Sequence, residues 1–133
     1  MEDDIFKVLV VDDEKCICDL LNEYLSLQGY EVNSAVSGEE ALDKFDKNRS
    51  DLVLLDVKLP GMSGIDVLAG IKKIDAGTGV IMLSAYGDFN LVKEALQLGA
   101  DHYMQKPMEL ERLGRMINCW RETSGKAHGD FAS

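Results

Sequence analysis

The sequence predicts an α/β fold in which a parallel five-stranded sheet is covered by helices on both faces. Five short apolar runs alternate along the chain with five segments whose apolar residues recur at helical spacing. Strands that alternate with helices are joined by crossover connections, which make neighbouring strands parallel. The third run, residues 52–55, contains only Leu and Val, which is typical of a strand buried on both faces of such a sheet.

The predicted elements follow from changes in apolar periodicity and from turn and capping residues. Strands are expected at residues 5–11, 30–35, 52–56, 80–83 and 101–104. Helices are expected at about 17–27, 38–47, 64–74, 89–98 and 108–121. The apolar residues that recur at helical spacing on the first helix are Ile17, Leu20, Leu21, Tyr24, Leu25 and Leu27. Ser37 with Glu40, Ser63 and Asp88 are the expected N-terminal caps, and Gly29 is an expected C-terminal stop.

Length and composition fit one domain with its own core, because the 133 residues are 46% hydrophobic. We expect this domain over residues 1–121, with 122–133 as a flexible tail or the start of a linker. No apolar run approaches the roughly 18 residues that span a bilayer, and the acidic N-terminus does not resemble a secretory leader. A soluble cytoplasmic protein without membrane contact is therefore expected. The net charge of −10 argues against direct nucleic-acid binding by this segment.

The cysteine count gives no sign of a disulfide framework or a zinc site. The three cysteines are Cys16, Cys18 and Cys119, and the first two are spaced C-x-C with no His nearby. We expect all three to be reduced thiols that contribute to packing.

Chemically reactive side chains collect at the ends of the strands. Asp12 and Asp13 follow strand one, Asp56 ends strand three, Ser84 follows strand four and Lys106 follows strand five. Strand ends of one sense lie on one edge of a parallel sheet, and ligands of open α/β sheets bind in the crevice there. Clustered carboxylates repel one another unless a cation is present. Mg²⁺ suits the group because it prefers hard oxygen ligands and retains several waters.

Taken one at a time, these residues also have ordinary structural interpretations. Asp12 and Asp13 could be acids at a helix N-terminus, and Asp56 and Ser84 could be turn residues. Lys106 could be a solvated surface lysine. Taken together they favour phosphoryl transfer, in which an ammonium and a metal neutralise phosphoryl oxygens and one carboxylate accepts the group. Asp56 is the candidate acceptor because it ends the central, most buried strand.

The chain resembles a response-regulator receiver domain of two-component signalling over about residues 5–121. The motifs that carry the resemblance are the apolar first strand with Asp12-Asp13, the segment Leu54-Leu55-Asp56 followed by Pro60-Gly61-Met62-Ser63-Gly64, the triplet Leu83-Ser84-Ala85, and Gly99-Ala100-Asp101-His102-Tyr103 leading to Lys106-Pro107. The resemblance implies a flavodoxin-like fold with strand order 2-1-3-4-5.

The resemblance also implies which residues hold a metal. Asp56 would be the phosphoacceptor. Asp13 and Asp56 would bind Mg²⁺ directly, and Mn²⁺ could take its place. Asp12 would act partly through water, and Lys58 would contribute its backbone carbonyl.

The remaining matching residues would form the switch. Ser84 and Lys106 would contact the phosphoryl group, and Tyr103 would be the aromatic switch residue. Phosphorylation would draw Ser84 inward and let Tyr103 move from an exposed toward a buried position. The reporting surface would be helix four, strand five and helix five. The peptide bond between Lys106 and Pro107 would be cis.

The same resemblance implies partners. A sensor histidine kinase or a phosphotransfer domain would supply the phosphoryl group, and a downstream output protein or output domain would read it. Phosphorylation could also produce a dimer. The protein would be no enzyme beyond catalysing its own phosphoryl acceptance and autodephosphorylation. It would be either a stand-alone regulator or the N-terminal receiver of a longer one.

Two residues predict a phosphorylated form that lasts longer than in chemotaxis-type regulators. Side chains two residues after the acceptor and two after the hydroxyl residue flank the approach of water, and here they are Lys58 and Tyr86. Neither is a ready base for water at pH 7, and both could cover the phosphoryl group. If Tyr86 points to solvent instead, it has no such effect.

Three other classes compete with this interpretation. A flavin- or nucleotide-binding module needs a Gly- or Ser/Thr-rich loop after strand one, whereas the loop here is acidic. Many Mg²⁺-dependent aspartyl phosphatases need a carboxylate two residues after the nucleophile, where this chain has Lys58. A receiver-like module that binds partners without phosphorylation is less favoured because every site residue is present.

Overall fold

The structure is a computed structural model that describes residues 5–123. Within this range, one five-stranded parallel sheet has the order β2-β1-β3-β4-β5, which confirms the predicted fold class and strand order. The strands are β1 (Lys7–Val11), β2 (Glu31–Ala35), β3 (Leu52–Asp56), β4 (Gly79–Ser84) and β5 (His102–Gln105). The helices are α1 (Lys15–Leu27), α2 (Gly38–Lys47), α3 (Gly64–Ile74), α4 (Phe89–Gln97) and α5 (Leu110–Thr123).

The helices cover both faces of the sheet. On one face, α1 and α5 contribute Leu21 and Leu113 to a buried apolar cluster. On the other face, α2, α3 and α4 contribute Phe45, Leu68 and Ala95 to a second cluster. Two apolar layers against one sheet are the arrangement that buries a strand on both sides.

The central strands β3 and β4 lie between these layers. Residues 52–55 and 80–83 are all fully buried, and their side chains alternate between the two clusters, as the two-residue period of a strand requires. Burial of apolar surface contributes about 25 cal/mol per Å², so burial on both faces strongly stabilises these two strands. The polar residues at their ends are therefore attached to a rigid support.

Two of the three expected helix caps are confirmed. The hydroxyls of Ser37 and Ser63 each accept the backbone N–H three residues later, at 3.2 Å. Asp88 occupies the N-cap position of α4, but its side chain makes no capping hydrogen bond. Its carboxylate instead accepts the N–H of Ala85, at 2.9 Å. The expectation of a side-chain cap at Asp88 was therefore wrong, because the turn before the helix engages the carboxylate.

The periodic apolar residues of α1 are not all internal. The buried face is formed by Cys18, Leu21 and Leu25, whereas Leu20 is 50% exposed and Leu27 is 80% exposed. Successive residues of a helix are rotated by about 100°, which places Leu20 and Leu27 outside a stripe centred on Leu21 and Leu25.

The expectations for the cysteines and for the C-terminal tail are met only in part. Cys18 is buried as expected, but Cys16 and Cys119 are exposed free thiols on the outer faces of α1 and α5 and do not pack in the interior.

Residues 122 and 123, expected in the tail, belong to α5. The rest of the predicted tail, 124–133, lies outside the described residues. None of the helices described between residues 5 and 123 is long and apolar enough to span a membrane.

Candidate active site

The carboxyl ends of β1 and β3 bring three carboxylates together. One oxygen from each of Asp12, Asp13 and Asp56 lies within 4.8 Å of the others. Lys106, which follows β5, donates to Asp12 Oδ2 at 2.7 Å and to Asp56 Oδ2 at 2.9 Å. The structure thus gathers these four residues at one edge of the sheet, as their places at the strand ends predicted.

Each carboxylate at this edge has a different environment. Asp12 is fully buried, and its second oxygen, Oδ1, accepts the N–H of Glu14 at 2.9 Å. Asp56 is 8% exposed, and its Oδ1 accepts the N–H of Lys58 at 3.1 Å. Asp13 is exposed to solvent and accepts no hydrogen bond from any residue in the described part of the chain. The site therefore has a buried floor and one solvent-accessible carboxylate.

Two glycines determine the backbone that carries Asp56. A Cβ at residue 64 would collide with the carbonyl oxygen of Asp56, so only glycine allows α3 to begin this close to the end of β3. Gly61 lies in the connecting turn with a φ of +78°, which favours glycine. The Gly64 N–H donates to the Val57 carbonyl at 3.0 Å, which joins the helix start to the strand end.

The site contains more negatively charged than positively charged groups. Burial raises the pKa of Asp56 above its ordinary value, and the neighbouring Lys106 ammonium offsets this only in part. Burial alone would lower the pKa of Lys106, but its hydrogen bonds to Asp12 and Asp56 outweigh that effect and raise it. Three carboxylates thus face one ammonium, and a divalent cation would relieve the remaining negative charge.

The candidate ligands suit Mg²⁺ in their chemistry, and the site is open enough to solvent for the waters that the ion retains. All three candidate ligands are carboxylates, the hard oxygen donors that Mg²⁺ prefers, and exposed Asp13 leaves room for the waters that the ion retains. Both oxygens of Asp12 already accept hydrogen bonds, from Glu14 and Lys106. Both oxygens of Asp56 likewise accept hydrogen bonds, from Lys58 and Lys106, so exposed Asp13 has the most acceptor capacity left for an ion.

A cavity separates the hydroxyl residue from the aromatic residue of the predicted switch. Ser84 is 3% exposed, and its hydroxyl donates to the Met104 carbonyl at 3.4 Å. Tyr103 is 51% exposed. Between them lies a cavity of about 230 Å³ whose lining, mostly apolar, includes Val92 and Leu96 of α4. The cavity provides space into which an aromatic ring could move.

The side chains of the two residues expected to shield a phosphoryl group contact Asp88 or face solvent in this structure. The Lys58 ammonium is 3.4 Å from Asp88 Oδ1. Tyr86 is 84% exposed, which is the solvent-facing position in which it would have no shielding effect. Asp88 was not identified from the sequence as part of this region, although its place four residues after Ser84 was the available signal. The bond between Lys106 and Pro107 is cis, as the resemblance implied.

A doubly wound sheet of this order, with an acid cluster and a lysine at its carboxyl edge, defines a class of signalling switch domains. The response regulator receiver domain family matches residues 8–118. The sporulation initiation phosphotransferase F of Bacillus subtilis is 43% identical over 107 residues, which cover 80% of this chain and 86% of that protein. The probable transcriptional regulator ycf27 of Guillardia theta is 40% identical over 121 residues, which cover 91% of this chain and 47% of that protein.

Solved structures agree with these relatives. A CheY-like response regulator receiver domain protein from Methanospirillum hungatei JF-1 matches with a TM-score of 0.88 and 32% identity, over 92% of this chain and 98% of that one. The chain belongs to the response regulator receiver family, and it is a phosphorylation-controlled switch of two-component signalling. It spans most of some relatives and about half of others.

Proposed function

We propose that Asp56 accepts a phosphoryl group, in a reaction that depends on Mg²⁺, from a sensor histidine kinase or a phosphotransfer domain. The modified protein then controls an output through the surface formed by α4, β5 and α5. The observation that carries the proposal is the cluster of Asp12, Asp13 and Asp56, two of which accept hydrogen bonds from the ammonium of Lys106. Such a cluster has little structural value, because its charges repel one another, but it suits a cation and a phosphoryl group.

The transfer uses one oxygen of Asp56 as the nucleophile. This oxygen forms a bond to phosphorus, the bond between phosphorus and the donor nitrogen breaks, and the electron pair of that bond remains on the donor. Lys106, at 2.9 Å from Asp56 Oδ2, orients the carboxylate and can contact a phosphoryl oxygen. The Lys58 N–H, at 3.1 Å from Oδ1, holds the other oxygen.

Mg²⁺, or Mn²⁺ in its place, would be held directly by Asp13 and Asp56. Asp12, which is fully buried, would act partly through water. The backbone carbonyl of Lys58 would be a further ligand. When bound, the ion supplies positive charge that neutralises the carboxylates and the phosphoryl oxygens.

The response to phosphorylation involves Ser84 and Tyr103. A phosphoryl group offers strong acceptor oxygens, for which the Ser84 hydroxyl can exchange its 3.4 Å hydrogen bond to Met104. The movement of Ser84 would let Tyr103 enter the cavity beside α4. Chemical-shift changes on phosphorylation should therefore concentrate in α4, β5 and α5, and changes confined to α1 and α2 would refute this route.

The proposed partners follow from the family. A kinase or phosphotransfer domain acts upstream, and an output protein or output domain acts downstream. The phosphorylated form is a candidate dimer. We propose a cytoplasmic location and no catalytic activity beyond the chain's own phosphoryl acceptance and autodephosphorylation.

Mass spectrometry after incubation with acetyl phosphate tests the proposal. With Mg²⁺ the wild-type protein should gain the mass of one phosphoryl group, and with a chelator it should gain none. Asp56→Asn should gain none in either condition, whereas the matched control Asp51→Asn, at the opposite edge of the sheet, should behave as wild type. Labelling of Asp56→Asn would remove Asp56 as the acceptor, and steady release of phosphate from added phosphoesters would indicate an aspartyl phosphatase.

A further inference from the structure

The loop between β4 and α4 is closed by a single side chain. Asp88 Oδ2 accepts the N–H of Ala85 at 2.9 Å, and the Asp88 N–H donates to the Ala85 carbonyl at 3.2 Å. Gly87, between them, has a φ of +95°, which residues with side chains rarely adopt. Asp88 thus holds the segment that directly follows Ser84 in one closed conformation.

The other oxygen of Asp88 connects this loop to the acceptor strand. Asp88 Oδ1 lies 3.4 Å from the Lys58 ammonium, and the Lys58 backbone N–H donates to Asp56 Oδ1 at 3.1 Å. The Asp88 side chain is 7% exposed and the Lys58 side chain is 69% exposed. The carboxylate is therefore fixed in the protein, whereas the ammonium can move within solvent.

We propose that the Lys58–Asp88 ion pair is a latch that holds the 84–88 loop in its unphosphorylated conformation, and that a phosphoryl group on Asp56 opens it. This inference rests on the proposed function and adds a restraint on the switch. A phosphoryl group carries about −1.5 to −2 charges at pH 7, more than the single charge of Asp88. It therefore draws the Lys58 ammonium toward Asp56.

Departure of Lys58 weakens the closed loop. The Asp88 carboxylate stays mostly buried but loses its cation, and an unpaired buried charge is unfavourable. The loop then opens more often and frees Ser84 to move toward the phosphoryl group. An ion pair with one exposed partner biases such an equilibrium by no more than about fivefold, so the latch is weak enough for a phosphoryl group to override.

Amide hydrogen exchange tests the latch without any phosphorylation. Lys58→Met removes the ammonium, keeps the aliphatic stem and leaves the hydrogen bonds between Ala85 and Asp88 in place. Exchange at the Ala85 and Asp88 amides should become roughly two- to fivefold faster, and Lys58→Gln should have the same effect. Lys47→Met, which breaks an exposed 3.2 Å pair with Asp43 on α2, controls for loss of a surface ammonium and should leave both amides unchanged. Wild-type exchange rates in both Lys58 variants would overturn the latch.

A second measurement separates the latch from the proposed function. Wild-type protein is treated with acetyl phosphate and Mg²⁺, its mass is checked, and exchange at Ala85 and Asp88 is measured again. Exchange should become faster in the phosphorylated wild type and change little further in phosphorylated Lys58→Met. A phosphorylated protein with unchanged exchange at both amides refutes the latch and leaves the proposed function intact. Failure to gain a phosphoryl group refutes the proposed function, while the exchange of the unphosphorylated variants still decides whether the ion pair closes the loop.

Discussion

The acidic residues at the two edges of the sheet differ in whether they cluster. At the amino edge, Asp51 accepts the N–H of Lys7 at 2.8 Å, and Asp101 accepts the N–H of Val80 at 2.9 Å. Asp101 also lies 3.5 Å from the Lys72 ammonium. These carboxylates satisfy backbone donors at the points where strands begin, so they complete the hydrogen bonding of the sheet.

At the carboxyl edge the acids outnumber their partners. Asp12 and Asp56 share the ammonium of Lys106, Asp13 adds a third carboxylate beside them, and burial raises the pKa of Asp56. The comparison teaches that the position of an acid at a strand end does not by itself indicate function. Acids at both edges accept backbone N–H groups. At the carboxyl edge three of them also cluster with surplus negative charge, which suits a cation and a phosphoryl group.

The largest expected effect is a difference in stability between the edges. Asp101→Ala and Asp51→Ala should each lower the free energy of unfolding by about 1–3 kcal/mol, because a backbone N–H loses its acceptor. Asp56→Asn should raise it in metal-free buffer, because one buried charge is removed. Urea unfolding at pH 7 measures all three variants. A loss in Asp56→Asn equal to that in Asp101→Ala would remove the distinction between the edges.

The carboxyl edge should also control how long the phosphoryl group lasts. We expect the side chains of Lys58 and Tyr86 to slow the access of water to the phosphoryl group. A tenfold change in the hydrolysis rate corresponds to about 1.4 kcal/mol in the barrier. The double variant Lys58→Asn with Tyr86→Glu should lose phosphate up to about tenfold faster in excess Mg²⁺. Tyr86→Ala should show a smaller increase, because Tyr86 is 84% exposed before phosphorylation. The shielding hypothesis is wrong if neither variant hydrolyses faster than wild type.

The smallest expected change in stability concerns Glu40 of α2, whose carboxylate is hydrogen-bonded and ion-paired. The N–H of Val36, followed by the ammonium of Lys44, lowers the pKa of Glu40 below its ordinary 4.5. A folded-state pKa below the unfolded one contributes stability above pH 4.5 that is lost as pH falls through the lowered value. Glu40→Gln should therefore lower stability at pH 7 by less than about 1 kcal/mol, since the pair is partly exposed. Equal stability changes at pH 7 and pH 3 would contradict this sign.

The sequence was sufficient for those features that topology determines. Parallel strands separated by helices have their ends on one edge, so Asp56 and Lys106, fifty positions apart in the chain, were predicted to meet and do so at 2.9 Å. The serine caps predicted before α2 and α3 depend on equally local signals and were confirmed at Ser37 and Ser63.

The features that the sequence did not predict are side-chain environments that depend on tertiary packing. Asp88 is a residue type that often caps helices, but in the folded loop its carboxylate contacts Ala85 and Lys58 instead. Leu20 has the spacing of a core residue, yet it lies beside the buried stripe of α1 and is half exposed. In both cases a side chain has two allowed environments, and only the packing of neighbouring elements selects one.

Calorimetric titration with Mg²⁺ tests most directly whether the acid excess at the carboxyl edge is a cation site. Wild-type protein should bind one ion, and Asp13→Ala should bind it at least about tenfold more weakly, a change of about 1.4 kcal/mol. Asp101→Asn, which removes an acid at the amino edge, should bind as wild type does. Equal affinity in wild type and Asp13→Ala, or an equal loss in Asp101→Asn, would contradict the assignment of the site.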